Sequence, residues 1–66
     1  MVKGKVVRAL LHGGAEAPRR VVADKGDIVV ICSEEEYQRA QREGREPSGV
    51  GFPRADVVDP TEVAVR

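Results

Sequence analysis

The chain has 66 residues, which accommodates one small domain with a core near the lower size limit. Charged residues make up 33% of it, and eleven Lys and Arg cancel eleven Asp and Glu. A single Cys excludes an intramolecular disulfide, and one Cys with one His excludes a tetrahedral Cys/His zinc site within one chain. No stretch approaches the ~20 apolar residues of a membrane span, and no apolar signal block opens the chain. The expectation is a cytoplasmic protein folded over 1–66 as one unit.

Val2 to Leu11 reads as the first strand, because Val6-Val7 and Leu10-Leu11 supply apolar residues to both faces. His12-Gly13-Gly14 ends it, and Ala15 to Pro18 follows as a short loop. Arg19 to Ala23 is a second strand around Val21-Val22. Asp24-Lys25-Gly26-Asp27 then turns the chain tightly into Ile28–Cys32, an unbroken β-branched run expected to lie inside the sheet. These two strands form a hairpin.

Ser33 opens the one helix, expected to run to Glu43. Ser33 at the N-cap and Glu36 three positions on match a capping box, in which each side chain satisfies the other residue's backbone N–H. Cys32 and Tyr37 are spaced for a hydrophobic staple across the same end. Glu34, Glu35 and Glu36 suit the positive end of the helix dipole, Arg39 and Arg42 the negative end, and Gly44 stops the helix. Its apolar stripe is thin, only Tyr37 and Ala40. Ser48 to Phe52 is a short strand that Pro53 confines to an edge or an end. Pro53 to Asp56 is a single turn of 3-10 type, and Val57-Val58 a final strand. Residues 60–66, with Val63 and Val65 alternating, make an edge strand or a frayed tail. The expected fold is therefore α+β or mostly β, four or five strands in a strongly bent antiparallel sheet with one exposed helix inserted before the penultimate strand.

Arg8-Ala9-Leu10 in an opening strand, Lys25-Gly26-Asp27 leading into Ile28-Val29-Val30-Ile31, and Gly51-Phe52-Pro53 followed by Val57 resemble elements of SH3-like small barrels. In that family they are the first strand, the diverging turn with its strand, and the 3-10 turn before the last strand. The resemblance spans about residues 8–58 and implies an open barrel. It does not carry the proline-peptide activity across, because Trp and the early Tyr pair are absent and a helix stands where the family has strands.

No catalytic set emerges. His12-Gly13-Gly14 resembles the oxyanion loop of lipases, but no nucleophile elbow and no second His accompany it, so it reads as a turn. Cys32 beside a helix N-terminus faces three glutamates that oppose a thiolate, and reads as a small buried hydrophobe. Gly49-Val50-Gly51 lacks the third glycine of a dinucleotide loop and reads as strand or bulge. Glu34, Glu35, Glu36 and Glu43 read as a solvated helix face. No metal and no cofactor is expected.

The neutral total hides an asymmetry: residues 1–33 carry six cations against three carboxylates, and residues 34–66 five against eight. Either the halves neutralise each other within one fold, or they mediate association. The leading expectation is a non-enzymatic protein-interaction or assembly module, self-association included. The alternative is a small nucleic-acid-binding barrel using Lys3, Lys5, Arg8, Arg19 and Arg20. It lacks a stacking platform, since Tyr37 and Phe52 are the only aromatics.

Overall fold

A computed structural model describes residues 2–59. Five antiparallel strands form one open sheet in the order β4-β3-β2-β1-β5: β1 (Val6–Leu10), β2 (Glu16–Asp24), β3 (Ile28–Cys32), β4 (Val50–Pro53) and β5 (Val57–Val58). One helix, α1 (Glu34–Glu43), lies between β3 and β4, as the sequence predicts. Short 3-10 turns occupy His12–Gly14 and Arg54–Asp56. The expected edge strand or tail over 60–66 lies outside the described residues.

The connection across the sheet dictates its shape. β4 and β5 are the two edges, four strand spacings apart, or about 19 Å if the sheet were flat. Four Cα steps of at most ~3.8 Å join Pro53 to Val57, a reach of about 15 Å. A flat sheet is therefore impossible, and the sheet curls until its edges approach. A bulge at Val22, between the Val21–Ile31 and Ala23–Val30 pairs, supports the bend. Val7, Ala9, Val21, Val29, Ile31 and Val57 fill the inner side as one buried cluster, with Phe52 packed against it.

Two expected boundaries shift by three residues or more, while β4 starts at Val50 rather than Ser48 and takes in Pro53 from the predicted turn. The first strand begins at Val6 rather than Val2, because Lys3-Gly4 turns there and Gly4 holds φ of +88°, a left-handed conformation that breaks a strand. The predicted loop Ala15–Pro18 is largely strand: β2 starts at Glu16, and Ala17 pairs with Ala9 on the inner side. Pro18 is tolerated there because the β3 ladder begins only at Arg20, so at Pro18 the strand has β1 alone beside it.

The β2–β3 hairpin closes as predicted. Asp24 Oδ1 accepts the Gly26 N–H at 3.0 Å, and the Lys25 N–H reaches the Ile28 carbonyl at 2.9 Å. At the helix start, the Ser33 hydroxyl accepts the Glu36 N–H at 3.0 Å. Gly44 ends the helix in the left-handed conformation, and the Arg45 N–H returns to the Ala40 carbonyl at 3.0 Å.

Candidate interaction surface

The register divides the expected basic face, with Arg8 and Arg20 on the outer side of β1 and β2 and Arg19 on the side of buried Val7, and most of its five cations are occupied. Lys3 pairs with Glu46 at 2.7 Å, and Lys5 lies 3.5 Å from the buried Asp59 carboxylate. Arg20 makes a two-pronged contact to Glu34 at 2.6 and 3.2 Å, and donates to the Gly4 carbonyl at 2.7 Å. Its guanidinium also stacks 4.8 Å from the centre of the Tyr37 ring. These contacts raise the Arg20 pKa, chiefly through the hydrogen bond to Glu34. Arg20 thus anchors α1 and the Lys3-Gly4 turn to β2. Arg8 is exposed on β1, and half-buried Arg19 donates to the Pro18 carbonyl at 2.8 Å. The Lys3–Glu46, Lys5–Asp59 and Arg20–Glu34 pairs join the basic half of the chain to the acidic half, so much of the charge asymmetry is neutralised inside one fold.

Glu36 departs from its expected role. Its carboxylate does not complete the capping box but turns to the segment leaving the helix. It accepts from Arg45 Nη1 at 2.7 Å and from the Ser48 N–H at 2.9 Å. It also meets Arg39 at 3.4 Å. The reversal at Gly44 carries Arg45 and Ser48 back alongside the helix, where a charged donor outcompetes the N-cap amide. The Arg45 hydrogen bond and then the Ser48 amide hold the Glu36 carboxyl down at about 2, against an ordinary 4.5. The expected solvated acidic face is therefore interrupted at Glu36, which fastens α1 to the approach of β4.

Acid should release this fastening. A carboxyl whose folded pKa is depressed stabilises the fold above its unfolded pKa and loses that contribution as pH falls toward the folded value. Glu34, lowered by Arg20, and Asp24, lowered by Arg54, act in the same direction. Melting temperature followed by circular dichroism should fall steadily between pH 5 and pH 2. Glu36→Gln should melt below wild type at pH 7, and the gap should close as pH approaches 2. A gap that stayed constant would disconnect Glu36 from the ion pair.

Cys32 is buried, and burial first, then Glu36 and Glu34, pushes its thiol pKa up, as expected of an inert side chain. Its backbone stands level with Arg20 and Val6, whereas His12 follows the end of β1 at Leu10. Those levels differ by at least ~13 Å along the sheet. Among the described residues no group of three or more His, Cys, Asp and Glu is placed to hold a metal ion, and no helix is long and apolar enough to cross a membrane.

Two surfaces have the character of contact sites. A shallow groove of about 480 Å³ is lined by Leu10, Leu11, Gly13, Phe52 and Asp56. The other surface is the outer edge of β4, which pairs only with β3 among the described strands. From Pro47 to Pro53 no residue is charged, in a chain one-third charged. Val50 is 64% exposed on this edge, and Ile28 in the neighbouring strand is 41% exposed. Natural edge strands normally carry charge, and this one carries a single proline as its blocking device. The strand lies at an edge, as its proline leads the sequence to predict, but it runs from Val50 through Pro53 rather than from Ser48 to Phe52.

No family model, curated protein or solved structure matches the chain.

Proposed function

We propose that the chain is an SH3-like barrel acting as a non-enzymatic interaction and assembly module, with self-association as its principal mode. The uncharged, exposed edge of β4 carries this reading. An edge strand offers a ladder of backbone donors and acceptors, and a partner strand that completes it gains both hydrogen bonds and apolar contact. The strand order supports the barrel assignment. β5 returns to pair with β1 through a 3-10 turn, in the order expected from the Gly51-Phe52-Pro53 and Val57 elements.

Sedimentation equilibrium across a wide concentration range tests the reading, and the expected result is a concentration-dependent rise in mass. A strict monomer at high concentration would remove self-association. The nucleic-acid alternative has less support, since Lys3, Lys5 and Arg20 hold carboxylates and Arg20 also holds the helix. Arg8 and Arg19 remain for it, so Arg8→Glu with Arg19→Glu is the fair probe. Salt-sensitive binding of single-stranded RNA lost in that variant would favour the alternative.

A further inference from the structure

We infer that the partner of the β4 edge is a second copy of the same strand, antiparallel and two-fold symmetric about Gly51. This inference rests on the assembly reading above and specifies its interface.

Hydrogen-bonded and non-hydrogen-bonded pairs alternate along an antiparallel ladder. Arg54 and Asp27 continue the β3–β4 register, and the Arg54 N–H donates to the Asp27 carbonyl at 2.8 Å. They are therefore a hydrogen-bonded pair. Alternation makes Val29–Phe52 and Ile31–Val50 hydrogen-bonded pairs as well. Val50 and Phe52 thus spend their backbone groups on β3, while Gly51 and Pro53 direct theirs away from the sheet. Gly51 offers a donor and an acceptor; Pro53 offers an acceptor only.

Few symmetric registers fit such an edge, because outward-directed residues must face each other. Centring on Phe52 sets Gly51 against Pro53 and wastes the Gly51 carbonyl. Centring on Val50 sets Pro53 against Pro47, two residues with no N–H. Centring on Gly51 closes two hydrogen bonds between the glycines. It also places each Pro53 carbonyl opposite Gly49 of the second copy, which has an N–H to give and no side chain to obstruct the ring. The edge is self-complementary in that register.

The side chains agree with it. Val50 of one copy faces Phe52 of the other on the inner side, continuing the Ile31–Val50 and Val29–Phe52 rows across the interface. On the outer side Ile28 leans over Gly51, close enough that a Cβ there would lie 2.9 Å from Ile28 Cγ2. The two isoleucines therefore flank the central glycine pair. No like charges meet along the strand: Pro47–Pro53 is uncharged, and Ser48 faces Arg54 of the second copy. Beyond Arg54 the chain leaves the edge as a 3-10 turn.

Amide hydrogen exchange at Gly51, measured by NMR on the full chain over a range of concentrations, is the test, paired with sedimentation. The expected result is a concentration-dependent dimer in which Gly51 exchange slows severalfold as the dimer fills. Val50→Lys, at an exposed position, should leave the β1–β2 resonances in place and abolish both effects. A dimer with unchanged Gly51 exchange overturns this interface and leaves the assembly reading standing. Gly51 protection at every concentration also overturns it, since the chain would then cover its own edge. A strict monomer overturns both.

Discussion

Ile31→Ala should leave the domain largely unfolded at room temperature. Ile31 is 2% exposed and is the bulkiest member of a cluster otherwise made of valines and alanines, with Phe52 at its margin. Truncating a buried Ile to Ala costs about 2–5 kcal/mol, more where the surroundings cannot collapse into the space. Here they cannot: Val21 and Val50 are fixed on either side of Ile31 by the β2 and β4 ladders. A core of this size rarely supplies more than ~3–5 kcal/mol in total, so one truncation consumes most of it. Urea titration followed by circular dichroism should show no native baseline for Ile31→Ala. Val50→Ala, removing an exposed side chain from the paired position, should unfold with the wild type when both are monomeric. Equal behaviour of the two variants would mean that Ile31 is no more a core residue than the exposed Val50 beside it.

The parts of this fold that were legible in the sequence are those set by neighbouring residues. Asp24 and Gly26 make their turn from their own atoms, Ser33 caps the amide three residues on, and Gly44 reverses the chain where the helix pattern stops. The parts that were not legible depend on distant partners. Ala15 to Pro18 has the composition of a loop, and it becomes strand because β1 lies beside Ala17 and Pro18 and no β3 partner needs an amide from the proline. Which face of β1 is buried was equally hidden, since Val6 and Val7 are alike until the sheet curls toward Val7.

Electrostatics followed the same division. The Ser33 to Glu36 spacing is a local signal, and the half of the capping box that uses the Ser33 hydroxyl forms. The other half loses to Arg45 and Ser48, which are nine and twelve residues from Glu36. The opposite charges of the two halves of the chain allow either neutralisation within one fold or association between molecules, and the fold spends much of the difference on the first. Lys3, Lys5 and Arg20 each hold a carboxylate from the acidic half, and Arg54 of that half holds Asp24. What remains for a partner is an edge defined by its lack of charge.

Gly49→Ala should destabilise the domain by about 1–3 kcal/mol, the usual cost of forcing a methyl into packed space. Gly49 has no left-handed φ, so an alanine backbone fits and the penalty is steric. A Cβ there would lie 2.7 Å from Val30 Cγ1, 2.9 Å from the Ile31 carbonyl oxygen and 3.2 Å from Val22 Cγ2. Val30 can turn aside. The carbonyl cannot, because it belongs to the Ile31–Val50 pair, the first rung that holds β4 to the sheet. Relief of the clash must therefore loosen that rung, and Val50 amide exchange should quicken along with the loss of stability. Gly51→Ala supplies the contrast. Its Cβ would meet only the Ile28 Cγ2 methyl at 2.9 Å, which a χ1 rotation of that half-exposed side chain moves aside without disturbing the backbone ladder. Urea midpoints of the monomeric variants should rank Gly51→Ala close to wild type and Gly49→Ala well below it. The reverse order would mean that the chain entering β4 does not pass against the Ile31 carbonyl, and that its glycine answers to something other than close approach.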